Sequence, residues 1–361
     1  MTSFTAPRTW ATGAPALTAS AFNIDLKENF VALHGLNGYA CRVYFDTDTA
    51  ITTATTTALS WTHTSYNTGT MWVVGTPTRI TVAVTGYYAV SATAAWHNDS
   101  TGKRQVGYRI NGNAATLRWM RVRDPADDGM SYNGGYDEVS LTAGDYLEIV
   151  VLHTRGSDLT IDSGKRGTFA TVRLLGDANA AAWTEPKTWS TGENLTLALL
   201  NEQVRDNTKN LYGLNGLACR LHRTVNTSLT NNADMTINWT AADWNIGSLW
   251  ASASGTKVNL TASGNWAVFG GADFSANVSG ERDIAWYQNG ASVGYREREP
   301  AVTIATNTVI GFYDELYVSS TDQYLTMVVR QNSGAVMNLN ASGKYQSCFG
   351  ARYLGTATNT T

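Results

Sequence analysis

One unit is written twice in this chain, and nothing else in the sequence constrains the fold as strongly. RTWATG at 8–13 returns as KTWSTG at 187–192, and HGLNGYACRV at 34–43 returns as YGLNGLACRL at 212–221. Trp61 recurs as Trp239, Trp72 as Trp250, Gly86 as Gly264, Arg104 as Arg282 and Tyr146 as Tyr324, each pair 178 positions apart. Chance does not hold one register over so many matches, and the period is far longer than the roughly 20–50 residues of a solenoid repeat. The chain is therefore expected to form two homologous domains. The boundaries read as an N-terminal docking segment and helix at 1–35, a first domain at 36–176, a linker and second helix at 177–213 and a second domain at 214–361. The linker opens on DANAAAWTEP at 177–186, rich in Ala and ended by Pro.

Within each unit the hydrophobic period changes once. Residues 17–34 place Phe22, Leu26, Phe30 and Leu33 on one narrow helical stripe, with Thr18 as cap and Gly35 after the end. Residues 195–212 repeat the layout with Leu200, Val204 and Leu211, then Gly213. Such a stripe buries little by itself. It is expected to pack on its own domain or on the same helix of a partner subunit. After each helix the period becomes two. Ile80, Val82 and Val84 alternate with Thr81 and Ala83; Leu147, Ile149 and Val151 follow the same rule, and Val258, Leu260, Leu325, Met327 and Val329 repeat it. Val150 and Leu152 are apolar on the second face, so a loop, another sheet edge or a neighbouring subunit is expected to cover them. Turn signals such as Asn111-Gly112 and Gly144-Asp145 recur about every ten residues. The fold class that follows is all-β, two tandem antiparallel β-sandwich jelly rolls, each preceded by a short α-helix.

Composition agrees and removes other classes. Charged residues are 15% of the 361, below the usual quarter, while Thr, Trp, Tyr and Gly are abundant. A net charge of −3 fits neither nucleic-acid binding nor an acidic solvating tail. No apolar run reaches the roughly 18 residues of a membrane span, and the first ten residues lack a signal-peptide pattern. Neither membrane insertion nor secretion is expected, and the Asn-x-Ser/Thr triplets read as products of an Asn- and Thr-rich chain. Three Cys are no disulfide scaffold. A Cys219–Cys348 bridge is geometrically open, though free thiols are the expectation.

Few residues invite chemistry. The five His have no zinc-ligand spacing, no nucleophile elbow is present, and no cofactor is expected. Tyr136-Asp137-Glu138 recurs as Tyr313-Asp314-Glu315, and paired carboxylates serve glycoside hydrolysis. Adjacent strand residues point to opposite faces, however, so one such pair does not flank one bond. No catalytic residue is assigned. Asp124, Asp127 and Asp128 gather in one loop as weak calcium candidates, without EF-hand spacing. Arg118 and Arg121 lie in RWMRVR, either a basic face for an anionic glycan or a strand with one solvated side. Trp96, Trp119 and Tyr132 in the first unit, and Trp244, Trp286 and Tyr295 in the second, read either as ligand-stacking rings near strand ends or as core and interface packing.

RITVAVTGYYAV at 79–90, YRING at 108–112 and LTAGDYLEI at 141–149 resemble the strand motifs of the jelly roll shared by complement globular heads and tumour necrosis factor. The second unit keeps VNLTASGNWAV at 258–268 and YQNG at 287–290, but carries Asp322-Gln323 where the first has Gly144-Asp145. The openings, with Trp10, Gly13, Leu17, Thr18, Ala19 and Asn23, and Trp189, Gly192, Leu195, Thr196 and Asn201, resemble tail and fibre proteins of tailed bacteriophages. So do YNTGTMW at 66–72 and WNIGSLW at 244–250. What the resemblance implies is a non-enzymatic, homotrimeric virion protein, made and assembled in host cytoplasm and displayed at the virion surface. It would dock on other virion proteins through Trp10, Trp189 and the helix stripes, and its heads would meet a host-surface glycan or protein. A capsid decoration, head-fibre or neck role and a glycan-cleaving depolymerase are the other expectations.

Overall fold

A computed structural model of the chain describes residues 39–124, 130–165, 167–176, 196–206, 217–300, 307–341 and 346–355. The first unit contains β1 (Ala40–Tyr44), β2 (Thr49–Ile51), β3 (Thr57–Ala58), β4 (His63–Thr68), β5 (Ile80–Thr81), β6 (Gly86–Trp96), β7 (Arg104–Ile110), β8 (Arg118–Arg123), β9 (Ser131–Leu141), β10 (Tyr146–His153), β11 (Leu159–Ile161) and β12 (Phe169–Gly176). The second repeats the series strand for strand. It contains β13 (Ala218–His222), β14 (Thr227–Leu229), β15 (Met235–Thr236), β16 (Ala241–Ile246), β17 (Val258–Leu260), β18 (Gly264–Phe274), β19 (Glu281–Gln288), β20 (Ala291–Pro300), β21 (Thr308–Val318), β22 (Gln323–Gln331), β23 (Met337–Leu339) and β24 (Cys348–Gly355).

Each unit is an antiparallel sandwich. In the first, β9-β6-β12-β1-β4 form one sheet, with β11 and β2 beyond β6, and β8-β7-β10 form the other, with β3 and β5 on β10. In the second, β21-β18-β24-β13-β16 and β20-β19-β22 take the same places. The inward residues of the alternating strands meet in two separate cores. Trp61, Tyr88, Trp96 and Tyr108 fill the first; Trp239, Trp266, Phe274 and Phe349 fill the second. Burying a large apolar side chain is worth about 1.5–3 kcal/mol, so each core is a stabilising unit in its own right. Turn chemistry sets the register where strands are close. Asn289 and Gly290 both adopt positive φ, 51° and 80°, and close the two-residue turn between β19 and β20.

Three expectations are decided by the structure. Of the helix expected over 195–212, the described residues show a four-residue α-turn, Leu197–Leu200, followed by a π-helical stretch, Asn201–Asp206; residue 195 and residues 207–212 lie outside the described residues. Thr196 Oγ1 accepts from the Leu199 amide at 3.2 Å. The helix expected over 17–34 lies outside the described residues. Val150 is wholly buried and Leu152 half-buried within the chain, so no neighbouring subunit is needed to cover that face. A Cys219–Cys348 bridge is ruled out by register. Cys219 lies opposite Ala351, and Cys348 lies opposite His222, three residues along β13. At about 3.3 Å per residue that offset exceeds disulfide reach. All three thiols are free and buried, and burial pushes those of Cys41 and Cys219 up to about 12.

Candidate functional site

The residues with the most chemistry lie where the two sandwiches meet. Strand register explains why. In the first unit Ala40, Arg173, Ala89 and Glu138 form one cross-strand row, and Arg42, Thr171, Ser91 and Tyr136 form the next on the same face. The second unit repeats both rows as Ala218, Arg352, Ala267 and Glu315, and as Arg220, Gly350, Phe269 and Tyr313. Each sandwich thus carries two arginines on one sheet face and a Tyr-Asp-Glu triplet along its edge strand, β9 or β21.

The edge of the first sandwich is seated on the face of the second. Asp137 is 1% exposed and its carboxylate is surrounded. Tyr108 Oη donates to Oδ2 at 2.8 Å, and Arg118 Nε lies 2.6 Å from the same oxygen. Arg220, from the other sandwich, reaches Oδ2 at 3.0 Å with Nη2 and Oδ1 at 3.2 Å with Nε. Burial opposes the charge on Asp137, but Arg118 and Arg220 hold its carboxyl below the usual range. Burial also opposes the charges of the two guanidiniums, and Asp137 beside them holds their pKa values above the ordinary one. Arg220 further pairs with Asp243, which lies 3.2 Å from His222 Nδ1. Glu138, wholly buried, accepts from Arg352 Nε at 3.1 Å and from Tyr136 Oη at 2.7 Å. Arg121 pairs with Glu297 at 2.6 Å and with Glu299.

Apolar contacts surround these ions. Tyr87, Leu175, Ala218, Trp244 and Phe269 form one buried cluster drawn from both sandwiches, with the Tyr87 and Trp244 rings tilted at 46° to each other and 4.6 Å apart between centroids. Val122 of β8 bridges to Val309 of β21, so a sheet of one unit runs into a sheet of the other. Beside the joint a cleft of about 330 Å³ is lined by Tyr108, Val139, Asp145, Arg220, Asp243 and Trp244, among others.

The candidate ligand residues are redistributed by this geometry. Trp96 and Trp286, 0% and 3% exposed, leave the ligand set because both are core side chains. Trp244, Arg118 and Arg121 leave it because they build the joint, and Trp119 is half-buried against Val122 and Val309. Tyr132 is 51% exposed and remains an accessible ring. Tyr295 lies in β20, and its side chain is outside the described residues, as is that of Leu200 in the α-turn. Val204 is half-buried. Trp10, Phe22, Leu26, Phe30, Leu33, Trp189 and Leu211 lie outside the described residues, as do Asp127 and Asp128, which leaves Asp124 alone of the calcium candidates.

Sequence reasoning missed Arg220, Arg352, Asp243, Glu297 and Glu299. A usable signal was present: an arginine set inside an otherwise apolar strand, in ACRV and ACRL alike. It also missed Asp48, His97 and Asp162, whose ligand atoms lie within 4.8 Å of one another. The second unit has Asn226, Ser275 and Asn340 at these positions. Asn226 Oδ1 accepts from the Ala341 amide at 2.8 Å as Asp48 Oδ1 accepts from Ser163 at 2.9 Å, so the turn closes with or without the charge.

No family model matches the chain, and no curated protein matches it. Among solved structures, murine APRIL at pH 5.0 is similar at 15% identity, over 37% of this chain and 98% of that one, with a TM-score of 0.29. The globular domain of zebrafish complement 1qA protein is similar at 11% identity, over 38% of this chain and 98% of that one, with a TM-score of 0.31.

Proposed function

We propose that this chain is a non-enzymatic structural protein of a bacteriophage virion, a self-assembling tail-tip or fibre component whose jelly rolls present loops to the host surface. One observation carries the reading. Asp137 and Glu138, members of the one carboxylate pair that recurs in both units, are held by arginines of the other sandwich instead of facing a cleft. Charges neutralised this way position domains; they do not transfer protons to a substrate. The resemblance of the two opening segments to phage tail and fibre proteins supplies the virion context. A homotrimer would multiply the number of heads, and several weak contacts then bind tightly through effective concentration.

Two measurements test this. Native mass spectrometry of the full chain at micromolar concentration is expected to give a trimer, and a single-chain mass rejects the assembly. Purified protein is expected to slow adsorption of the parent particle to host cells. No competition, together with immunogold labelling on the head, moves the protein to a capsid-decoration role. Release of sugar from host polysaccharide would overturn the non-enzymatic reading.

A further inference from the structure

Among the described residues, the joint inside the chain seats one edge on one face and leaves the carboxylates of the counterpart edge and the arginines of the counterpart face without such partners. The counterpart edge is Tyr313-Asp314-Glu315, built like its partner copy; Tyr313 packs on Tyr136 at 4.6 Å between ring centroids, while Asp314 and Glu315 meet no arginine among the described residues. Tyr313 Oη donates to Glu315 Oε1 at 2.6 Å, as Tyr136 does to Glu138 at 2.7 Å. The Glu315 amide donates to Asp314 Oδ1 at 2.8 Å, as Glu138 does to Asp137 at 2.9 Å. Trp286 Nε1 lies 3.3 Å from Asp314 Oδ2, in the place of the Tyr108 hydroxyl. Tyr313 is 41% exposed and Glu315 is exposed. The counterpart face holds Arg42 and Arg173, at the register positions of Arg220 and Arg352. Arg173 is exposed and makes no ion pair with any described residue. Arg42 lies over the Phe169 ring at 4.0 Å and donates from Nη2 to the Lys165 carbonyl at 2.8 Å, while its Nε is buried without a hydrogen-bond partner among the described residues.

The contact within the chain is heterologous. Asp137 meets Arg220, but Asp314 does not meet Arg42; Glu138 meets Arg352, but Glu315 does not meet Arg173. Such a contact leaves a complementary half at each end, and repeating it gives a closed ring or an open array. We propose that a second copy of this chain occupies both: the Tyr313-Asp314-Glu315 edge of one copy seats on the Arg42/Arg173 face of the next, as β9 seats on β13 and β24 within the chain. This rests on the assembly reading above and names its surface. Charge complementarity and repetition of a contact already made in the chain select the occupant. The receiving face is not identical: Thr171 stands for Gly350, and Ser65 stands for the Asp243 that pairs with Arg220. Trp244 and Phe269 are replaced there by Tyr66 and Ser91, so the contact between copies depends more on charge and is expected to weaken as salt rises.

Charge reversal tests the pairing. Arg42→Glu with Arg173→Glu, and separately Asp314→Lys with Glu315→Lys, are each expected to reduce the oligomer to single chains in native mass spectrometry. All four changes in one chain are expected to restore the oligomer, because reversed edges then meet reversed faces. Thermal unfolding confirms that each variant is folded. Arg173→Glu alone, at an exposed side chain, keeps the test available if the Arg42 change disturbs folding. Oligomers that survive either reversal, or a fourfold variant that stays monomeric, overturn this pairing while leaving assembly itself standing. A wild-type chain that is already monomeric overturns the assembly reading and this inference together.

Discussion

The triplets Tyr136-Asp137-Glu138 and Tyr313-Asp314-Glu315 are the same sequence on the same strand of the same sandwich, with the same internal hydrogen bonds. One is buried between sandwiches and clasped by three arginines; the other stands half open at an edge. Identical local chemistry therefore has two energetic meanings. A carboxylate surrounded by buried guanidiniums cannot be removed without stranding them, whereas one at an edge has water as a substitute.

The largest effect expected from that contrast follows neutralisation. Asp137→Asn leaves Arg118 buried without its counter-charge and Arg220 with Asp243 alone, and is expected to cost about 3–5 kcal/mol in thermal or urea unfolding. Asp314→Asn in dilute chain is expected to cost about 0.5–1 kcal/mol, the worth of an ordinary hydrogen bond. Equal losses would break the comparison. Acid sharpens it. The folded pKa of Asp137 is depressed, so its stabilisation is complete above the unfolded value and is lost as pH falls through the folded one. The stability gap between wild type and Asp137→Asn is expected to close below about pH 4.

A second contrast has the opposite sign. Position 95 is Ala in the first unit, and its counterpart is Asp273 in the second. Burial pushes the Asp273 carboxyl up to about 6, although Asn340 Nδ2 donates to it at 3.0 Å. A raised folded pKa means that stability is full below the unfolded value and declines as pH rises towards 6. Asp273→Asn is expected to stabilise the chain at pH 7–8 by up to about 2–3 kcal/mol, and by little near pH 4. A gain that is the same at both pH values would show that charge is not its source.

Smaller effects probe packing. Gly107 faces Ala285 in the repeat, yet a Cβ on Gly107 would lie 2.1 Å from the Arg118 carbonyl oxygen, because the bulge falls at a different place in the two β-pairs. Gly107→Ala is expected to cost about 1–3 kcal/mol in unfolding experiments, although the second unit carries alanine at that place. A neutral result would mean the two bulges are interchangeable. Least of all, Tyr132→Ala should change stability by no more than about 0.5 kcal/mol. Weaker adsorption to host cells at unchanged melting temperature would mark that exposed ring as a contact.

Much of the architecture was legible because it is periodic. Strands such as β6, β10 and their counterparts announce themselves by alternation, and the 178-residue register says that whatever one unit forms, the other forms again. The joint was hidden for the opposite reason. Arg220 lies 83 residues from Asp137 and Arg352 lies 214 from Glu138, and a period of two says which face a side chain is on without saying what covers it. Trp244 and Trp286 show the same limit. Both are aromatics near predicted strand ends, yet one closes an interface and the other fills a core. The helical stripe at 195–212 was legible as a helix from its spacing, but not the π-helical geometry that its described residues take from Asn201 to Asp206.

A protein that assembles from single units must change every copy of a contact when it changes one. Writing the unit twice in one polypeptide removes that constraint. Phe269 and Ser91, or Trp244 and Tyr66, are the same site on two independently editable records, and they already differ, while the arginines at 42, 173, 220 and 352 are spelled alike in both. With the proposed contact between copies, the tandem chain would hold two versions of one recognition message, a firm one addressed to itself and a looser one addressed outward, and either would be free to be rewritten without erasing the other.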